Sequence, residues 1–121
     1  MKIDHVERRR SPRVPAASQV SLNTSRVAAD AVLKNVSTSG LLCQTERPIA
    51  EMTIVEVKLA LPPLAEEQDR RYLITGRGVV VRCEPAARGN SRKRYEVAIY
   101  FTQLTNDSKS SLERFVSVRK A

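Results

Sequence analysis

Apolar and polar residues alternate along most of the chain with the two-residue period of half-buried strands. Val20 and Leu22 lie between Gln19, Ser21 and Asn23, which predicts a strand over 19–24. Over 26–36 small residues blur the alternation, but Val27, Val32, Leu33 and Val36 keep it strand-like. The Ser-Thr-Ser-Gly of 37–40 reads as a turn. Leu41, Cys43 and Thr45 then share one face of a third strand, and 48–51 is a loop. Val55, Val57, Leu59 and Leu61 alternate with Glu56, Lys58 and Ala60 in the clearest strand of the chain, which Pro62-Pro63 ends. The polar stretch 64–71 is a loop or one short helical turn. A fifth strand over 72–84 puts Val79, Val81 and Cys83 on one side and Val80, Arg82 and Glu84 on the other. Gly76 and Gly78 inside it predict a bulge or bend. After a loop over 85–94, where Arg88, Arg92, Lys93 and Arg94 read as a solvated hairpin, a last strand alternates Tyr95, Val97, Ile99 and Phe101 with Glu96, Ala98 and Tyr100.

The period then changes. Leu112, Phe115 and Val116 fall at i, i+3 and i+4, one face of a helix over about 106–120. Asn106, Asp107 or Ser108 suits its cap, and Arg119 and Lys120 suit its C-terminal dipole. The expected fold class is all-β with a terminal helix: a six-stranded antiparallel β-barrel plus a C-terminal α-helix. Residues 1–13 have no hydrophobic period, and Pro12 and Pro15 oppose a continuous helix. They are expected to form a flexible basic arm, with 14–121 as the barrel domain.

Composition narrows the partners. The chain has 121 residues, 41% hydrophobic and 28% charged, enough for one domain with a core of its own. Lys+Arg is 21 and Asp+Glu is 13, so 21 − 13 = +8, an excess that calls for an anionic partner. No apolar run approaches the ~20 residues that span a bilayer, and the charged start MKIDHVERRR has no apolar segment behind it. A cytoplasmic protein without membrane insertion is expected. Cys43 and Cys83 then read as reduced core residues, and one His with two scattered Cys has no zinc-ligand spacing. Catalysis finds no support: the one His, His5, lies in the arm, and neither a Walker loop nor GxGxxG occurs. No cofactor and no enzymatic activity are expected. Aromatics make up 4%, without Trp, which argues against a nucleic-acid surface of stacked rings.

Two short motifs remain. Arg9 and Arg13 form R-x-x-x-R, a pattern expected about twice by chance in a chain with this Arg content, and Arg88 and Arg92 form another. Asn35, Ser37 and Gly40 form [DN]-x-S-x-x-G, expected by chance about 0.02 times. In this order, as ERRRSPRVPA and LKNVSTSGLL, the pair resembles the signature of the PilZ domain, and the layout from Glu7 onward, through YEVAIYF to the closing LERFVSVRK, is similar to that family's. Ala98 departs from it, at a last-strand position where members often carry Gly, and lies away from the motifs in sequence.

The resemblance implies a PilZ-like split barrel that binds cyclic di-GMP through Arg8, Arg9, Arg13, Asn35, Ser37 and Gly40. Arg forks onto guanine O6 and N7 or onto phosphate. Asn35 offers an amide and Ser37 a hydroxyl, and Gly40 permits a positive φ and close backbone approach. An Arg just before the pair, here Arg8, goes in such proteins with two intercalated cyclic di-GMP molecules per domain. The implied function is a single-domain bacterial receptor that switches on binding the second messenger and signals through a downstream protein. Two other readings compete: a basic small-barrel binder of single-stranded nucleic acid, and a PilZ-like adaptor acting only by protein contacts.

Overall fold

In a computed structural model, which describes residues 13–26, 28–63, 72–86 and 94–120, the alternating segments become six strands and the final period one helix. These are β1 Val14–Asn23, β2 Ala28–Val36, β3 Gly40–Thr45, β4 Ile54–Leu61, β5 Tyr72–Pro85, β6 Tyr95–Leu104 and α1 Asn106–Lys120. The strands close into an antiparallel barrel in the order β1-β2-β3-β6-β5-β4, so no sheet edge is left open. The stretches 1–12, 64–71 and 87–93 lie outside the described residues, and with them all of the expected arm but Arg13, the polar segment and most of the basic hairpin.

The inward faces are the predicted ones over most of the chain. Val20, Leu22, Leu41, Cys43, Val55, Val57, Leu59, Leu61, Val97, Ile99 and Phe101 are all buried. β1 begins earlier than its alternation indicated, with Val14 and Ala16 already buried. A register shift against β2 between Pro15 and Ser18 accommodates this start. Pro15 is tolerated because the ladder with β4 covers only Val20 to Asn23.

β5 corrects the predicted faces. Its register with β6 shifts twice, between Arg77 and Gly78 and between Val80 and Arg82. The first is the bulge that the glycines foretold. The second leaves Val81 exposed and turns Val80 and Cys83 both toward the core, not onto opposite faces. Cys83 and the fully buried Cys43 each pair with Val97, from opposite sides. Two strand spacings put their Cα atoms ~9.5 Å apart, beyond disulfide reach, and both are free thiols. Burial, with Cys83 nearby, pushes the Cys43 thiol up to about 12.

Helix α1 lies against β5 and the start of β1. Leu112, Phe115 and Val116 are buried beneath it. Its cap is Thr105, one residue before the predicted candidates: Thr105 Oγ1 accepts from Ser108 N at 3.1 Å. Ser108 serves instead as an anchor, accepting from Thr75 N of β5 at 2.8 Å. At the far end Arg119 donates to Pro15 O at 3.3 Å and lies 4.9 Å from the Phe115 ring centroid. Among the described residues no helix is long and apolar enough to cross a membrane.

Candidate functional site

The turn between β2 and β3 is held from within. Ser37 N donates to Gly40 O at 2.8 Å, which closes the turn. The Ser37 hydroxyl oxygen accepts from Ser39 N and Gly40 N, each at 3.2 Å, and lies 3.1 Å from Ser39 Oγ. Ser37 is only 3% exposed, so its hydroxyl points into the turn. Phe101 N donates to Ser39 O at 2.8 Å and ties the turn to β6. Ser37→Ala removes the acceptor of two N–H groups inside this packed turn. It is expected to lower stability by about 1–3 kcal/mol, read as an earlier urea midpoint. An unchanged midpoint would show that the turn does not rest on this hydroxyl.

Of the two reasons expected for Gly40, the close backbone approach holds and the positive φ does not. Its φ lies outside the left-handed region, and the constraint is proximity. A Cβ on Gly40 would stand 2.2 Å from the backbone O of Ile99. Gly40 pairs with Tyr100, and only a residue without a side chain lets β3 and β6 approach this closely there.

Asn35 is aimed by an irregularity. Strict alternation after Ala31 and Leu33 would send Asn35 inward and Val36 outward. A register shift between Leu33 and Asn35 reverses this, burying Val36 and turning Asn35 to the outer face. There Asn35 Oδ1 is buried without a hydrogen-bond partner among the described residues. A buried acceptor left open in this way is costly unless something arrives to fill it. It fits a ligand carrying N–H donors.

Arg13 joins them through the ladder. Val14 pairs with Val36 and Pro15 with Asn35, so Arg13 and Ser37 each lie one residue beyond the same pair. Arg13 is exposed, with no hydrogen bond or ion pair to the described residues. The structure thus brings Arg13, Asn35, Ser37 and Gly40 to one end of the barrel, the end where α1 meets β1. Arg8 and Arg9 lie outside the described residues. Ala98 is nearer than its place in the chain indicates. The outward row Asn35–Leu42–Ala98–Arg82 crosses four strands, so Ala98 sits two strands from Asn35. Arg94, expected in the solvated hairpin, is half-buried, and its carbonyl accepts from Ala86 N at 2.8 Å. Among the described residues no group of His, Cys, Asp and Glu could hold a metal ion.

Known proteins agree with this architecture. The PilZ domain family model matches residues 7–117. No curated protein matches the chain in sequence. The inhibitor of motility MotI/DgrA of Bacillus subtilis superposes with a TM-score of 0.73 at 16% identity, over 91% of this chain and 50% of its own. The PilZ domain of YcgR from Escherichia coli, solved with c-di-GMP, gives 0.69 at 10% identity, over 93% and 92%. The PlzA protein of Borreliella burgdorferi, in complex with c-di-GMP, gives 0.59 at 7% identity, over 98% and 55%. The chain therefore spans about half the length of MotI and of PlzA but nearly all of the YcgR domain. With a family model covering nearly its whole length and a six-stranded closed barrel carrying Arg13 and the turn motif at one end, the chain belongs to the PilZ domain family.

Proposed function

We propose that this chain is a receptor for cyclic di-GMP. One observation carries the reading: the β1–β2 register sets Arg13 beside the turn of Ser37 and Gly40, next to an Asn35 whose buried Oδ1 awaits a donor. Guanine supplies donors of that kind at N1–H and its exocyclic amine, while its O6 and N7 accept an Arg fork. The two phosphodiesters supply the anion that a net charge of +8 calls for. Ser37 fixes the turn, and Asn35 is its ligand-facing side chain. Arg9 and Arg13 close over the nucleotide from the arm at 1–13. That closure changes the surface offered to a downstream protein, so binding and signalling are one event. YcgR and PlzA, solved with c-di-GMP, support the ligand, and MotI, an inhibitor of motility, supports a regulatory output.

Calorimetric titration with cyclic di-GMP, with GTP and a mixed-sequence oligonucleotide as controls, tests this reading. Binding confined to the cyclic dinucleotide is the expected result. Uptake of the oligonucleotide alone would favour the nucleic-acid reading, and no uptake at all the adaptor. The same titration counts ligands. Two stacked molecules bring four phosphodiester charges together and need a further cation beside the Arg pair, which Arg8 supplies. Two nucleotides per chain are expected, falling toward one in Arg8→Leu while binding persists. A wild-type ratio of one would reject the intercalated pair.

A further inference from the structure

Each guanine offers two flat faces, its largest apolar surfaces, yet the motif residues supply only forks, amides and backbone. Arg planes and the second ligand can cover some of these faces, and an aromatic ring on the barrel would cover another. The chain has three Tyr, two Phe and no Trp. Tyr72, Phe101 and Phe115 are buried, and Tyr95 packs against the core. Tyr100 alone is open, at 53% exposure.

Its position matches its exposure. Tyr100 points outward from β6 and pairs with Gly40 on one side and Val79 on the other. Gly40 carries no side chain and cannot carry one, since Ile99 O occupies the space, so the residue paired with Tyr100 on β3 puts no side chain beside its ring. Asn35 lies two strands away and one outward row along, about 12 Å between Cα atoms by sheet spacing. A purine fits between that amide and this ring. Ala98 and Leu42 floor the gap between them. The constraint on Gly40 and the openness of Tyr100 are thus one arrangement.

We infer that Tyr100 is the stacking platform for a guanine of the bound nucleotide, a binding residue outside both motifs. This rests on the receptor reading above. Base–aromatic stacking is worth enough that truncating the ring lowers affinity roughly tenfold or more, while the exposed position leaves folding intact.

The test is calorimetry with cyclic di-GMP on wild type, Tyr100→Ala and Tyr100→Phe, with melting temperatures recorded for each. Tyr100→Ala is expected to bind at least about tenfold more weakly and Tyr100→Phe like wild type, because the phenyl ring keeps the stacking face. Tyrosine emission adds a second readout, since the chain has no Trp. Corrected for nucleotide absorbance, it should be quenched in wild type and much less so in Tyr100→Phe at equal saturation. Equal affinity of Tyr100→Ala and wild type overturns this inference and leaves the receptor reading standing. Equal weakening in both variants assigns the contact to the hydroxyl and overturns stacking. A wild type that takes up no cyclic di-GMP overturns the receptor reading, and this one with it.

Discussion

Gly40→Ala is expected to destabilise the free protein by about 3 kcal/mol or more, a loss of roughly 10 °C or more in melting temperature. The magnitude follows from what the added methyl meets. Its carbon would sit 2.2 Å from Ile99 O and 3.3 Å from the Tyr100 Cα, both backbone atoms of β6. A side chain could rotate away, but this carbonyl belongs to the β3–β6 ladder, which pairs Gly40 to Tyr100 and continues to Thr45 and Tyr95. Relief therefore requires the two strands to part. That would strain the Phe101 N–Ser39 O bond and the turn held by Ser37. Binding should fall with stability, since the same turn presents Asn35. Thermal or urea unfolding of the variant decides it. A melting temperature within a degree or two of wild type would mean that β3 and β6 have slack at this point and that the glycine is there for another reason.

The sequence announced some of this and could not announce the rest, for physical reasons. The inward face of β4 was legible because Val55, Val57, Leu59 and Leu61 obey a strict local period. The faces of β5 were not, because the shift between Val80 and Arg82 is a property of its pairing with β6 and leaves no mark in β5 alone. The helix was legible from three apolar positions. Its cap was displaced by one residue, since Thr105, Asn106, Asp107 and Ser108 are all competent caps and only the bond to Ser108 N selects among them. The turn motif named Asn35, Ser37 and Gly40, but not their different tasks. Ser37 faces the turn, Asn35 faces out because of a bulge, and Gly40 answers to a carbonyl far along the chain. Tyr100 has no local signature beyond its outward place in an alternating strand. Its meaning comes from the strand beside it.

Arg9→Ala and Arg13→Ala should each weaken cyclic di-GMP binding by about 2–4 kcal/mol, roughly 30- to 700-fold, with little change in the stability of the free protein. For Arg13 the two halves of this expectation have one cause. It is exposed, makes no hydrogen bond or ion pair to the described residues, and stands just outside the first ladder pair of β1. Removing it therefore costs the folded barrel almost nothing. In the complex the same guanidinium would face phosphate or a guanine edge next to a low-exposure turn, where a charge-assisted fork is poorly replaced by water. Arg13→Lys separates charge from fork: it keeps the cation, loses the planar pair of donors, and should fall between wild type and Arg13→Ala. Added salt should weaken wild-type binding more than Arg13→Ala binding, because the variant has less charge left to screen. If both alanine variants bind as tightly as wild type, the arm does not close over the nucleotide. Recognition would then rest on the outer barrel face of Asn35 and Tyr100 without it.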